Sequence, residues 1–459
     1  MKSNEGFDKT KKIIIGIIEV VLYHFSIVLS FYFRYKGRIP FFNYIAYESG
    51  RVYILAAFVL LNIVFGVYIF YNKSTMDLLF ITTIIQVILT IMVMAMTFFG
   101  RWFSFPRSVI ALSFVLSTII LFIFRIIVFK LYEKIAGTKK IMVVGEETHI
   151  KETVHNFENA KNRRHKVTSI VLDNYYSNIS KYLDTTDIVY LASSIKHSER
   201  IKIYELLIRN KKSIFVNTSF EHLVLVNPNI MNIEDESVIE LSNFSISPEF
   251  DLVKRMIDFI VALVLITLSS PLMLAAVLVI KLTSKGPVIY KQVRITKNQK
   301  EFNIYKFRTM SATAEKDTGP VLSTANDMRV TPIGKYLRAL RIDELPQLFN
   351  VLNGTMSLVG PRPERPFFVE QFVKENPYYD LRHNVRAGIT GYAQVYGKYA
   401  TNFNSKLNFD LVYIKNYSLI MDIKILFQTT KVLFDKVSSK GLEEEEKDLV
   451  LPQNIKIFR

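Results

Sequence analysis

The sequence predicts a membrane protein in three parts: a region of four transmembrane helices, a Rossmann-like α/β domain, and a further α/β domain anchored by a broken re-entrant membrane helix. Half of the 459 residues are hydrophobic, a high share for a soluble protein. Apolar runs of membrane length occur early in the chain and once more near its middle. The stretch between them alternates strand-like and helix-like segments. We place the three parts at residues 1–137, 138–248 and 249–459.

The charge balance indicates anionic partners. A formal net charge of +17 suits anionic lipid headgroups, nucleic acid or a phosphorylated substrate. The apolar content favours lipid and phosphate, so we expect no nucleic-acid partner. The absence of cysteine excludes disulfides, a thiol nucleophile and thiolate metal sites. The seven histidines are scattered, without the paired spacing that indicates a metal site.

Four apolar runs form the predicted transmembrane region. Each is near the roughly 20 residues that a spanning helix needs. Lysines precede the first run and a basic segment follows the fourth, so the positive-inside rule makes both ends of the region cytoplasmic. Arg34, Lys36, Arg38 and Arg51 would then lie in the first external loop, against that rule. The four runs cover residues 13–33, 52–71, 78–99 and 109–129.

Residues 138–248 have the alternating pattern of a parallel α/β sheet. The first predicted strand ends at Gly145, which Glu146 and Glu147 follow. The G-x-G-x-x-G fingerprint of dinucleotide-binding domains is therefore absent. We favour a structural or regulatory module over a nucleotide site. The predicted strands are residues 139–145, 167–172, 187–192 and 213–216.

The fifth apolar run, residues 256–280, is predicted to enter the membrane and return. Lys254 and Arg255 precede it and a longer basic segment follows it, so both ends should prefer the cytoplasmic side. Ser270 and Pro271 lie within the run, where proline removes a backbone donor and a serine hydroxyl can satisfy the freed carbonyl. We therefore predict a re-entrant helix over residues 251–282, broken at this pair. The alternative, a kinked spanning helix, would place everything after Lys281 outside the cell.

Two motifs beyond this helix offer cations to a phosphate. Lys306 and Arg308 are two residues apart and share one face if the segment is a strand. Each could equally belong to a basic strip against the membrane surface. Arg362 stands between Pro361 and Pro363, which fix the backbone so that its guanidinium can bind phosphate in a bidentate way. An ordinary surface turn is the alternative for this second motif.

A third motif pairs two carboxylates with arginines. Asp343 and Glu344 begin a predicted helix, and Arg338 and Arg341 lie just upstream. Metal-assisted phosphoryl transfer needs this combination, since one carboxylate can attack phosphorus while a metal and arginines neutralise the phosphate charge. For an isolated Asp-Glu pair, plain capping of the helix by Asp343 is the simpler interpretation.

Three stretches together resemble the bacterial polyprenyl-phosphate sugar-1-phosphate transferases, the monotopic phosphoglycosyl transferase superfamily. The resemblance covers about residues 250–435, and the layout before them is similar to the large form of that family, with four membrane helices and a degenerate Rossmann-like domain. The chain differs from the usual pattern at Thr296 and Gln299, where glycines are common, and at Ala387, where proline is common. The stretches are KFRTM (306–310), DELPQLFNVLNGTMSLVGPRP (343–363) and GITGYAQV (388–395).

The resemblance implies an enzyme at the cytoplasmic face of the bacterial inner membrane. Asp343 would be the nucleophile and Glu344 its partner, and both would lie at a bound Mg²⁺. Arg338 would contact a substrate phosphate, and Arg362 the nucleotide-sugar. The enzyme would move a hexose 1-phosphate from a UDP-sugar to undecaprenyl phosphate through an aspartyl-phosphosugar intermediate and release UMP. That product would start a lipid-linked repeat unit of exopolysaccharide, capsule or O-antigen.

The sequence leaves the transferred sugar and the oligomeric state open. Glucose and galactose phosphate lead as the transferred group, with an N-acetylated or modified hexosamine phosphate as the alternative. The resemblance is compatible with a homodimer, although no residue pattern derives one. Two other functions are weighed: a membrane-anchored nucleotide-sugar dehydratase, which needs the missing glycine fingerprint, and a non-catalytic scaffold of a polysaccharide assembly complex.

Overall fold

The computed structural model forms two compact units, which are described separately below. One unit contains Met1–Val216 and Asp448–Arg459, and the other is Asn217–Lys447. The residues that the structure describes are 9–68, 75–102, 104–158, 165–192, 194–233, 235–241, 243–284, 286–310, 329–397, 402–434, 451–452 and 455–458.

The first unit begins with four long apolar helices, α1 (Lys9–Arg34), α2 (Phe41–Val64), α3 (Thr75–Phe99) and α4 (Arg107–Ala136). Each is long and apolar enough to cross a membrane. Helix α2 starts ahead of the apolar run predicted at 52–71, because Pro40 precedes its first turn and a Glu48–Arg51 ion pair of 2.8 Å keeps two charges within it. Residues 69–71 of that run lie outside the described residues.

One buried polar network joins all four helices. Arg125 of α4 donates from Nε to Glu19 Oε1 of α1 at 2.7 Å. The same guanidinium donates to Thr82 Oγ1 of α3 at 2.8 Å and to Asn62 Oδ1 of α2 at 2.7 Å. The Tyr68 hydroxyl donates to the second oxygen of Glu19 at 3.0 Å. Because the two charges neutralise each other and share their hydrogen bonds, they can remain inside an apolar bundle.

A five-stranded parallel sheet completes the first unit. Its strand order is β11-β2-β1-β3-β4, and apolar side chains of helices α5–α7 and of the sheet fill both of its faces. The four strands predicted from the sequence are all present. The elements are β1 (Lys139–Val144), α5 (Glu147–Glu158), β2 (His165–Val171), α6 (Tyr175–Tyr182), a 3-10 turn (Leu183–Thr185), β3 (Ile188–Leu191), α7 (His197–Arg209), β4 (Ser213–Val216) and β11 (Lys456–Phe458).

The edge strand β11 comes from the end of the chain. Its three residues pair in parallel with Ser169, Ile170 and Val171 of β2. The Phe458 ring stacks on Tyr182, with 4.1 Å between the ring centroids. A strand of three residues carries too little pattern to be recognised in a sequence, so β11 was not predicted.

Carboxylates gather near the end of the sheet where dinucleotides bind in Rossmann folds. Burial raises the pKa of Tyr175, and the charges of Glu146, Asp173 and Glu199 raise it further. A negative field of this kind disfavours a pyrophosphate. It agrees with the missing glycine fingerprint, although the role of this domain stays a prediction.

The second unit begins at Asn217, ahead of the domain boundary predicted at 248/249. Leu223 and Phe244 belong to its hydrophobic core together with Val351 and Leu411. The elements are α8 (Phe220–Val224), β5 (Asn229–Ile233), β6 (Glu236–Glu240), α9 (Pro248–Thr283), β7 (Ile289–Ile295), β8 (Glu301–Phe307), α10 (Pro332–Ala339), α11 (Gln347–Leu352), β9 (Ser357–Val359), α12 (Pro366–Glu375), β10 (Gly388–Thr390), α13 (Tyr392–Tyr396), α14 (Phe403–Lys415) and α15 (Leu419–Phe434).

Three small sheets shape this unit. Strands β7 and β8 form an antiparallel hairpin, as do β5 and β6, whereas β9 and β10 pair in parallel. Asn298 and Gln299, at the tip of the β7–β8 hairpin, have left-handed φ values of 57° and 56°. Glycine adopts this conformation without strain, so the glycine that the resemblance leads one to expect at Gln299 would suit this turn.

Helix α9 is the fifth helix of membrane length and covers the predicted re-entrant segment. It is helical through Ser270 and Pro271, so the predicted break does not interrupt it. Pro271 has no N–H for the carbonyl of Thr267, and the Ser270 hydroxyl donates to that oxygen instead at 2.8 Å. The freed carbonyl is therefore satisfied as predicted, and the helix continues.

Both ends of α9 pack on the second unit. Near its start, Lys254 pairs with Asp422 at 2.5 Å. Near its end, Ile280 lies in a cluster with Phe307 and Leu337. The middle of the helix is exposed: Leu268 and Leu274 present 73% and 65% of their surfaces. An apolar stretch that projects between two anchored ends suits insertion into lipid.

Breaking the polar network should destabilise the four-helix bundle. Arg125→Leu leaves the Glu19 carboxylate buried without its counter-ion, and we expect a loss of about 3 kcal/mol in unfolding free energy. The double variant Glu19→Leu/Arg125→Leu removes both charges and should recover most of that loss. Unfolding of the purified protein in mixed micelles, followed by circular dichroism, measures both values. A double variant no more stable than the single one would contradict the role given to the ion pair.

Candidate active site

The two predicted catalytic carboxylates lie in a tight turn. Asp343 and Glu344 belong to a 3-10 turn, Ile342–Glu344, which precedes α11. Asp343 is therefore not the N-cap predicted for it. Pro346 has no N–H to continue an α-helical pattern, and Leu345 N donates to Ile342 O at 3.2 Å in the shorter 3-10 pattern.

Three cations surround the Glu344 carboxylate. Lys306 Nζ of β8 donates to Oε1 at 3.0 Å. Arg341 Nη1 lies 3.6 Å from Oε2, and Arg362 Nη2 lies 3.8 Å from Oε1. Arg341 holds a left-handed φ of 56° immediately before the turn. Such a conformation is costly for a side-chain-bearing residue and is commoner at functional sites than elsewhere. Arg341 is the third cation at Glu344. From the sequence, it was predicted only to lie just upstream of the carboxylate pair, with no contact assigned to it.

Asp343 is buried, and one of its oxygens has no partner. Its side chain is 8% exposed, and among the described residues no group hydrogen-bonds to Oδ1. A buried polar atom without a partner is costly and occurs mostly where a substrate or ion supplies the missing contact. The turn therefore offers one carboxylate oxygen for reaction and holds the neighbouring carboxylate in a ring of positive charge.

The environments of the two carboxyls separate their pKa values. Burial raises the pKa of Asp343 to about 6, and the neighbouring charge of Glu344 adds to this rise. Burial also acts to raise the pKa of Glu344, but Lys306, Arg362 and Arg341 outweigh it and hold that pKa at about 2. As the pH falls, the first proton therefore goes to Asp343 while Glu344 keeps its charge.

The remaining predicted cations differ in their surroundings. Arg338 of α10 donates from Nε to Thr309 Oγ1 at 2.9 Å, and its charge lowers the pKa of Asp343, so it lies at the site. Arg308 follows the end of β8 and is not brought to the carboxylates. Its guanidinium donates to Pro287 O at 2.6 Å and to Ser284 O at 2.9 Å, where it closes the loop after α9. Its contacts are structural, and the substrate role predicted for it gains no support.

The Pro-Arg-Pro loop is fixed at four successive carbonyl groups. Each accepts one hydrogen bond, from a backbone N–H or an arginine side chain, at distances of 2.9 to 3.1 Å. The Arg362 side chain remains 42% exposed at the site. A rigid backbone with an accessible guanidinium matches the prediction for this motif. The donors and acceptors are Gly388 N to Pro361 O, Arg382 Nη2 to Arg362 O, Arg294 Nη1 to Pro363 O and Ile295 N to Glu364 O.

A shallow, open cleft joins Lys306, Glu344 and Arg362. Glycine is required in its wall because a Cβ on Gly388 would overlap the backbone of Gly360. Sequence reasoning missed Arg294 and Gln347 as cleft residues. The basic motif GPVIYKQVR (286–294) contains Arg294, whereas the sequence alone offers no signal for Gln347. The lining residues are Arg294, Ile304, Lys306, Glu344, Gln347, Arg362, Pro363, Gly388 and Ile389.

Asp343 and Glu344 are the residues that would hold the predicted magnesium ion. The described residues contain no group of three or more histidine, cysteine, aspartate or glutamate side chains placed to hold a metal. Mg²⁺ usually takes only one or two protein carboxylates and completes its shell with water and substrate phosphates. The unpartnered oxygen of Asp343 and the adjacent Glu344 carboxylate would supply such a pair to a bound ion.

Asp343→Asn should stabilise the protein at neutral pH. Folding raises the pKa of Asp343 from its ordinary 3.8 to about 6, so stability is lost as this group ionises with rising pH. The amide has no charge to bury, and the variant should gain about 3 kcal/mol at pH 7.5 and little at pH 4. Thermal unfolding of both forms at the two pH values measures the gain. An equal gain at both pH values would contradict the raised pKa.

Known proteins resemble part of this chain. The family model described as bacterial sugar transferase matches residues 250–436. An N-acetylgalactosaminephosphotransferase of Aeromonas hydrophila, named for UDP-N-acetylgalactosamine and undecaprenyl phosphate, is 48% identical over 197 residues, which are 42% of this chain and 46% of the relative. A UDP-glucose:undecaprenyl-phosphate glucose-1-phosphate transferase of Klebsiella pneumoniae is 36% identical over 258 residues, which are 53% of this chain and 54% of the relative.

A third relative is covered almost completely. An uncharacterized sugar transferase of Bacillus subtilis is 38% identical over 194 residues, which are 42% of this chain and 91% of the relative. The alignments with the first two relatives span about half the length of those proteins. The carboxylate turn, the Pro-Arg-Pro loop and the cleft all lie within the matched residues 250–436. On this evidence, the chain belongs to the family of bacterial sugar transferases.

Proposed function

We propose that the chain transfers a sugar 1-phosphate from a UDP-sugar to undecaprenyl phosphate and releases UMP. The observation that carries the proposal is the buried Asp343, whose Oδ1 has no partner, beside a Glu344 carboxylate surrounded by three cations. The names of the relatives from Aeromonas hydrophila and Klebsiella pneumoniae support the same substrate classes. The product would begin a lipid-linked saccharide repeat unit.

In the first step, an Asp343 oxygen attacks the phosphorus that carries the sugar. A bond forms between this oxygen and phosphorus, the bond from phosphorus to the bridging oxygen breaks, and UMP leaves with that oxygen. No proton has to move when Asp343 is ionised, and its pKa of about 6 leaves it largely ionised at neutral pH. Bound Mg²⁺ would neutralise phosphate charge and be held by Asp343 and Glu344.

In the second step, a phosphate oxygen of undecaprenyl phosphate attacks the same phosphorus. The bond to Asp343 breaks, the carboxylate is restored, and a polyprenyl-diphosphate-sugar leaves. Both steps concentrate negative charge around Asp343 and Glu344, where Lys306, Arg338 and Arg362 offset it. Glu344 holds two of these cations in place, which is the role of the partner carboxylate in this proposal.

We propose that α9 is re-entrant, bending at Pro271 while it stays helical, and that the site faces the cytoplasm. Both ends of the helix pack on the second unit, its exposed middle is apolar, and basic residues flank it on both sides. Helices α1–α4 would span the inner membrane and return the chain to the cytoplasmic side. A lipid acceptor could then reach the cleft from the membrane that holds the helix.

The Asp343→Asn variant should abolish turnover. We expect membranes that contain the unaltered chain, Mg²⁺ and undecaprenyl phosphate to release UMP from one member of a UDP-sugar panel. The panel includes UDP-glucose, UDP-galactose and UDP-N-acetylgalactosamine. Because an amide cannot supply the attacking charge, the variant should be slower by at least about a thousandfold. Asp235→Asn, a change at an exposed residue of the same unit, is the matched control and should keep full activity.

Omitting the lipid tests the covalent intermediate. Without undecaprenyl phosphate, the unaltered chain should release no more than one UMP per molecule, because the phosphosugar stays on Asp343. UMP release that requires the lipid from the first turnover would contradict the intermediate and favour direct transfer. Retained activity in Asp343→Asn would reject Asp343 as the nucleophile.

Cysteine labelling tests the path of α9. The chain contains no cysteine, so single cysteines at Ser247, Thr283 and Arg38 can be compared directly. In spheroplasts, an impermeant maleimide should label only the cysteine at 38, in the predicted external loop, and lysis should expose the other two. Labelling of 283 but not 247 from outside would show that α9 spans the membrane.

A further inference from the structure

We infer that Arg382 is a positioning residue for Arg362. It lies in the 3-10 turn Tyr379–Asn384 and holds the backbone of the Pro-Arg-Pro loop so that the Arg362 guanidinium stays at Glu344. The inference rests on the proposed function, because it assigns to Arg382 an effect on donor binding that acts through Arg362. No motif of the sequence pointed to Arg382.

The Arg382 guanidinium is almost fully buried and fully engaged. It is 4% exposed, and two of its nitrogens donate to the same oxygen of Asp410 on α14, at 3.0 and 2.7 Å. Its third nitrogen donates to the Tyr379 hydroxyl at 2.6 Å. Asp410 therefore offsets the charge of Arg382, which would otherwise be costly to bury.

One hydrogen bond of the Arg382 guanidinium reaches beyond Asp410 and Tyr379 to the Pro-Arg-Pro loop. Nη2, which already binds Asp410, also donates to the Arg362 carbonyl oxygen at 3.0 Å. A structural ion pair between the 3-10 turn and α14 does not need this second bond. The bond fixes the peptide plane that follows the Arg362 Cα, and the Cα orientation determines where the side chain starts.

The neighbouring anchors cannot replace this bond. Gly388 N holds Pro361 O, and Arg294 Nη1 holds Pro363 O, one residue to either side. Arg294 lines the cleft, so a change there would also alter the site directly. Arg382 is absent from the cleft lining, and its charge is buried and paired with Asp410. Its effect on catalysis should therefore pass through the loop.

The substitution Arg382→Lys isolates the role of the loop bond. An ammonium can stay paired with Asp410, but it lacks the planar fork that reaches Asp410, Tyr379 and the Arg362 carbonyl together. We expect KM for the UDP-sugar to rise about tenfold, with kcat changed less than about threefold, because donor contacts are weakened and Asp343 is untouched. Steady-state UMP release measures both constants, and thermal unfolding at the same pH measures stability.

A double-mutant comparison distinguishes positioning from a purely structural role. If Arg382 acts through Arg362, then Arg382→Lys should raise KM less than about twofold once Arg362→Ala is present. Tyr379→Phe is the matched control: it removes a buried partner of Arg382 but leaves the bond to the loop, and should keep KM within about twofold.

Two results would overturn the inference in an active enzyme. One is a KM effect of Arg382→Lys that multiplies with that of Arg362→Ala. The other is a parallel fall of kcat and thermal stability with KM unchanged, which a structural ion pair would produce. Failure of the proposed function would give a different result: the unaltered chain would release no UMP from any sugar. In that case the inference about Arg382 would fail together with the proposed function.

Discussion

The ring of positive charge around Glu344 is the interaction on which the site depends. Its three cations come from separate parts of the chain: Lys306 from β8, Arg341 from the turn itself, and Arg362 from the Pro-Arg-Pro loop. Each cation is positioned by a different element, so the strand, the turn and the loop must all be folded for the cluster to form. Removing the carboxylate would leave these cations to repel one another, and the cleft would lose its shape as well as its charge.

Helix α9 is tied to the same cluster through the second unit. Arg255 donates to the carbonyl oxygens of Val351 and Leu352 at 2.5 and 2.7 Å, at the far end of the helix that follows the carboxylate turn. Deeper in the core, the Ser357 hydroxyl donates to Asp258 at 2.7 Å, just before the chain enters the Pro-Arg-Pro loop. A shift of α9 would therefore displace both carboxylates and Arg362, because buried polar contacts of this kind have few alternative arrangements.

Much of this organisation could be predicted from residue patterns. Long apolar runs, the β1–β4 alternation and the serine next to Pro271 follow from local physics, which a single sequence displays. The carboxylate pair and Arg362 could be predicted because their motifs are contiguous. Arg382 and Asp410 could not, since nothing local links a 3-10 turn to α14. Arg308 was assigned to the phosphate face on the assumption of a longer strand, but β8 ends at Phe307 and the next side chain turns to the Ser284 loop.

The edge strand β11 has a consequence for how the protein is made. The sheet of the first unit takes its last strand from Lys456–Phe458, so the ribosome finishes the helices, three quarters of the sheet's pairings and the whole second unit before that edge can close. During synthesis the edge of β2 is open, and open edges invite pairing with other chains. A nascent chain, or one that lacks residues 456–458, would thus carry an exposed strand edge that β11 covers in the folded molecule.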